Sequence, residues 1–124
     1  SDEKLAYDLT KKILSGNKVD GIVALNALGS EGVAQAIEEL GLAGKVKLVA
    51  FDCTPEEIEY LERGVIQAAV IQNPFTMGYL GVKYAAMAAR REKIPKSVDT
   101  KSMVITKEDM YLPENQKLIF PFVR

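Results

Sequence analysis

The stretch Lys45-Val46-Lys47-Leu48-Val49-Ala50-Phe51-Asp52 limits the possible folds of this chain more than any other. It is a short apolar run between Gly44 and Thr54-Pro55, and it ends in a carboxylate. A run of that length between turn signals fits a strand buried on both faces of a parallel sheet. Similar runs lie on either side of it in the chain, Gly21 to Asn26 and Ile66 to Gln72, and helical patterns separate all three. Each run closes on a side chain able to hydrogen-bond: Asn26, Asp52 and Gln72. In open α/β sheets the ligand crevice lies beyond the carboxyl ends of the strands.

The elements follow in an αβαβαβαβ order, which predicts an α/β fold: a three-layer α/β/α sandwich around a mostly parallel sheet. Ser1-Asp2-Glu3 reads as a cap, and Leu5, Leu9 and Ile13, with Ala6 and Leu14 beside them, as the inward face of a first helix ended by Gly16. A strand over residues 21 to 25 comes next. The second helix is expected to bury Val33, Ala36, Ile37 and Leu40 and to end at Gly41. Thr54, Pro55 and Glu57 spell a capped start for a short third helix with Ile58 and Leu61 inward. After a strand near residues 66 to 71, Asn73-Pro74 opens an Ala-rich helix with Met77, Leu80, Tyr84 and Met87 along one side. Residues 100 to 106 read as a further strand. Residues 1–106 are taken as one lobe, and 107–124 as a mostly irregular tail, too apolar at Ile119, Phe120, Phe122 and Val123 to be free, packing on the lobe or a partner. A chain opening with a helix leaves its first strand with a bare apolar edge, where self-association is expected.

Composition removes several function classes. The net charge is −1 and the basic residues are scattered, so this segment is not expected to contact nucleic acid. There is no histidine and one cysteine. That removes His-based catalysis and His metal sites, and no enzyme activity, cofactor or metal is called for. Gly29-Ser30-Glu31-Gly32 only faintly suggests a phosphate loop, since it lacks a lysine and carries Glu31. Cys53 reads as an unreactive buried thiol. A carboxylate flanked by two amides offers both donors and acceptors, which neutral sugar hydroxyls require. Asn26, Asp52 and Gln72 are therefore the candidate ligand-binding residues, with Phe75 supplying an apolar face for a sugar ring.

The strings VALNALGSEGVAQAI, KLVAFDCTPEEIEYLERGVIQAAVIQNPFTMGYLGVK and VDTKSMVITKEDM resemble the C-terminal lobe of type I periplasmic sugar-binding proteins of the ribose-binding kind. That fold is shared with the effector domains of lac-repressor-like regulators. The resemblance runs from Asp2 to about Met110. It implies a solute-binding component of an ABC-type importer that closes two lobes on a monosaccharide such as ribose, with Asn26, Asp52 and Gln72 contributed by this lobe. Partners so implied are the sugar, the importer's membrane subunits and an N-terminal lobe not present in this sequence. The location implied is extracytoplasmic, in the periplasm or on a cell-surface lipoprotein. The alternative is a cytoplasmic transcriptional regulator's effector domain. Against the family pattern, the first strands of the lobe and an arginine they carry are missing, and Ala27 replaces an acid found in many members. The sequence thus reads as a piece of such a protein.

Overall fold

The computed structural model describes residues 2–119. Helix α1 (Glu3–Gly16) starts from Asp2, whose carboxylate accepts the Lys4 amide, and strand β1 (Gly21–Val23) follows. Helix α2 (Ala27–Glu39) starts from Asn26, and β2 (Lys47–Phe51) leads into α3 (Pro55–Glu62). Strand β3 (Ala68–Gln72), helix α4 (Pro74–Ala89), strand β4 (Ser102–Thr106) and helix α5 (Pro113–Ile119) complete the chain. The strands form an open sheet in the order β1-β2-β3-β4, with β1, β2 and β3 parallel. This is the α/β architecture that the alternating pattern predicts.

The chain divides into two compact units. One runs to Ile71 and resumes at Val104; the other is Gln72–Met103. The division differs from the expected boundary at residue 106. In the first unit, Leu48 and Ala50 of β2 are fully buried, as a central strand of a parallel sheet should be. Ile37, Leu61, Val65, Ile66 and Ile105 pack with them. Residues 113–119 are helical rather than irregular, and Met110 and Ile119 join the same core. Pro113 at a helix start is compatible with that turn, because the missing N–H there has no intrahelical partner anyway. Phe120, Phe122 and Val123 lie outside the described residues.

Helix α1 corrects the expected inward face. Leu5, Leu9 and Ile13 are half exposed, whereas Thr10 is buried and Ala6 and Leu14 pack on the core. The cause lies in α2. A side chain on Gly32 would stand 2.2 Å from the Glu3 carbonyl and 3.1 Å from the Ala6 Cβ. The two helices touch backbone to backbone, so small residues, not the leucine row, must occupy the crossing. The second helix buries Val33, Ala36 and Ile37 as expected, but Leu40 stays exposed at its C-cap. Gly41 follows with φ +66°, the left-handed turn that favours glycine. In the second unit, α4 buries no residue, and Phe75, Tyr79 and Val82 are exposed along it. Met77, Leu80, Tyr84 and Met87, the apolar side read from the sequence, are therefore not core residues there.

The start of α3 is capped from both sides. Thr54 Oγ1 accepts the Glu57 amide at 3.1 Å, and the Glu57 carboxylate accepts the Thr54 amide at 2.8 Å. Pro55 stands at the first helical position. Thr54→Ala removes one of these bonds and should cost about 1 kcal/mol in urea unfolding. Unchanged stability would show that the side-chain cap contributes nothing.

Candidate functional site

Two of the expected residues follow the ends of neighbouring strands. In the β1–β2 ladder Gly21 lies opposite Lys47 and Val23 opposite Val49. Asn26 comes three residues after the end of β1 and Asp52 directly after the end of β2, and adjacent strands lie about 4.8 Å apart. A hydroxyl fastens this rim. Ser30 Oγ donates to the Asn26 carbonyl at 2.9 Å and accepts the Phe51 amide at 3.2 Å. Ser30 itself is fully buried. Gly29-Ser30-Glu31-Gly32 are thus turns of helix α2, not a phosphate loop.

Asn26 caps α2: its Oδ1 accepts the Gly29 amide at 2.8 Å. The side chain is exposed, and its Nδ2 is the atom left to offer a ligand a donor. Asp52 is not the cap of α3, because Thr54 fills that role. Its backbone is instead in the left-handed region, with φ 82°, while its amide donates to the Val70 carbonyl at 2.9 Å. Such a conformation is costly for a residue with a side chain, although Asp tolerates it better than most. Here it turns the chain sharply between β2 and α3, at the carboxyl edge of the sheet.

Behind this rim lies an acidic cluster. Thr54 Oγ1 donates to Glu31 Oε1 at 2.6 Å, linking α2 to the start of α3. Glu57 is 2% exposed; one oxygen accepts the Thr54 amide, and the other, Oε1, is buried without a hydrogen-bond partner. Burial pushes the Glu57 carboxyl up to about 7, the Thr54 amide opposes that rise, and Glu31 and Asp52 add to it. Cys53 is half-buried, and burial with the Glu57 and Asp52 charges pushes its thiol up to about 11. A thiol that hard to ionise is a poor nucleophile, as the sequence suggests.

Ser30 and Glu57 are the residues that sequence reasoning misses at this site. A signal exists for Ser30, which precedes Val33 and Ile37 by three and seven positions and so shares their inward face. Glu57 is visible in the sequence only as half of a capping box. Gln72 and Phe75 belong to the second unit, where Gln72 closes β3, half-buried, and Phe75 is 83% exposed in the first turn of α4. Asn73 Oδ1 accepts the Thr76 amide at 3.0 Å, so Asn73 rather than Gln72 caps that helix. Among the described residues, no three His, Cys, Asp or Glu side chains are grouped to hold a metal ion. No helix there is long and apolar enough to cross a membrane.

Comparison with known proteins gives a consistent result. The periplasmic binding protein domain family matches residues 1–93. The D-allose-binding periplasmic protein of Escherichia coli K12 is 34% identical over 94 residues, which are 75% of this chain and 30% of that protein. A carbohydrate transporter solute-binding protein from Agrobacterium radiobacter, solved with D-arabinose, superposes with a TM-score of 0.89 at 34% identity. It is matched over 95% of this chain and 40% of its own. An ABC transporter solute-binding protein from Agrobacterium vitis, solved with D-fucose, gives a TM-score of 0.88 at 29% identity, over 96% of this chain and 41% of that one. The chain therefore spans well under half the length of these relatives.

Proposed function

The chain belongs to the periplasmic binding protein domain family, and on that basis we propose that it forms one face of a monosaccharide-binding cleft in the solute-binding component of an ABC-type sugar importer. The observation that carries the proposal is that Asn26 and Asp52 follow the carboxyl ends of two adjacent parallel strands, β1 and β2. The Asp52 carboxylate accepts hydrogen bonds from sugar hydroxyls, and the Asn26 amide donates to them. The chain does no covalent chemistry, works outside the cytoplasm, and delivers the sugar to membrane subunits that sense lobe closure. A relative named for D-allose and transporter solute-binding proteins solved with D-arabinose and D-fucose support the transport reading over a regulator's effector domain. Val23 on β1 and Leu25 just beyond it are exposed, and a second chain would pair along that edge strand.

One face leaves most of a bound sugar in contact with water, so affinity for this chain is expected at about 1 mM or weaker. Titration with D-allose, D-arabinose and D-fucose, followed through the amide signals of Asn26, Asp52 and Gln72, measures it. Asp52→Ala removes the central acceptor and should weaken binding about tenfold. A variant with unchanged affinity takes Asp52 out of the site.

A further inference from the structure

Glu57 has the unusual property of being a buried acid whose second oxygen meets no donor. Each nearby group is already engaged. The Ser30 hydroxyl, within reach of the Glu57 carboxyl, has given its one hydrogen to the Asn26 carbonyl. The Thr54 hydroxyl has given its own to Glu31. The Thr54 amide is bound to the other Glu57 oxygen. A carboxylate left in that position has an uncompensated lone pair in a buried place, which is costly. A neutral carboxyl changes the count. A hydroxyl oxygen has two lone pairs, and Ser30 Oγ uses one for the Phe51 amide. The other is available to accept an O–H.

We propose that Glu57 positions the sugar-facing rim through Ser30, as a proton-linked brace. In the neutral state its Oε1–H donates to Ser30 Oγ, and the Ser30 hydrogen stays on the Asn26 carbonyl. When Glu57 releases its proton to solvent, the carboxylate takes the Ser30 hydrogen and the Asn26 carbonyl loses its partner. Asn26 and the end of β2 are then no longer tied by one hydroxyl, and the rim loosens. The charged groups facing Glu57 are Glu31 from α2 and Asp52 from the connection before α3, with the Cys53 thiol beside it. Both carboxylates favour the neutral acid. The brace rests on the reading of Asn26 and Asp52 as sugar ligands only for its consequence in binding; the hydrogen-bond relay stands apart from it.

The test is a pH series from 5 to 9 on the isotope-labelled chain, reading the Glu57 carboxyl carbon, the Asn26 carbonyl carbon and the Phe51 amide. All three are expected to move with one midpoint near neutrality. Glu57→Gln keeps an acceptor for the Thr54 amide and a donor for Ser30, so its Asn26 and Phe51 signals should stay flat at the low-pH positions. In Ser30→Ala, Glu57 should still titrate while the Asn26 carbonyl no longer follows. Asn26 and Phe51 signals that stay still while Glu57 titrates, or Glu57→Gln signals at the high-pH positions, overturn the brace. D-allose separates the two proposals. Its affinity should fall about threefold or more from pH 6 to pH 8 in the parent chain and not in Glu57→Gln. An affinity equally independent of pH in both overturns the positioning role. If the relay titrates as described but D-allose shifts no rim signal, the brace is upheld and the sugar site is rejected.

Discussion

Gly32→Ala should destabilise the first unit by about 3 kcal/mol or more, lowering the unfolding midpoint by roughly 10–15 °C. Helix propensity alone points the other way, since alanine in a helix interior is favoured over glycine by about 1 kcal/mol. The contact decides the sign. The new methyl would lie 2.2 Å from the Glu3 carbonyl oxygen and 3.0 Å from the Tyr7 amide nitrogen, and both are backbone atoms with no rotamer to yield. Helix α1 must therefore move away from α2. That motion also strains Lys11, which reaches Tyr7 Oη at 2.8 Å and Glu39 at 3.3 Å, and the hydroxyl of Tyr7, which donates to Glu39. Gly78→Ala is the control: nothing lies within 4 Å of its added Cβ, so only the propensity gain should appear. Thermal unfolding of the two variants checks the pair. A stabilised Gly32→Ala would mean that the two helices do not make this close approach.

The same crossing marks where the sequence stops being legible. Local codes are read directly: Thr54, Pro55 and Glu57 cap α3 as written, and Gly41 and Gly64 terminate their helices with φ +66° and +74°. The buried central strand is also plain, because an apolar run between turn signals has few other uses. The face of α1 is not. Leu5, Leu9 and Ile13 form the stronger apolar row, yet the helix turns Ala6 and Thr10 inward, because the facing surface is a glycine that admits only small neighbours. Periodicity reports which face is apolar, not how near the partner comes. Helix α4 carries a dense apolar pattern and buries none of it. At the site, the alternating pattern sets β1 beside β2, and Asn26 and Asp52 follow the ends of those strands. The left-handed backbone of Asp52 and the bond from the Phe51 amide to Ser30 are tertiary facts, which no spacing between residues encodes.

Replacing Glu57 by glutamine should make the chain more stable at pH 8, although it deletes half of a capping box's charge. The sign follows from where the proton is held. Burial raises the Glu57 carboxyl from 4.5 to about 7 in the folded chain, while the unfolded chain keeps the ordinary value. Between those limits the folded state binds a proton that the unfolded state has released, so stability falls as pH rises. The contribution is complete below about pH 4.5 and gone above about pH 7. A displacement of that size is worth about 3 kcal/mol at most. Glu39 and Glu108 are exposed acids held below their ordinary value, Glu39 first by the Tyr7 hydroxyl and Glu108 first by a backbone amide, and their opposite slopes lie below this window. The Cys53 thiol, at about 11, lies above it. From pH 5 to 7 the slope is thus assigned to Glu57. A glutamine side chain does not titrate, yet it still accepts the Thr54 amide, so the slope should vanish in Glu57→Gln. Urea unfolding at pH 5 and pH 8 reads this directly. The parent chain should lose up to about 3 kcal/mol between the two, while the variant holds level and crosses above it. Equal losses in both chains would place the carboxylate in contact with solvent, and the buried acid behind the rim would have no support.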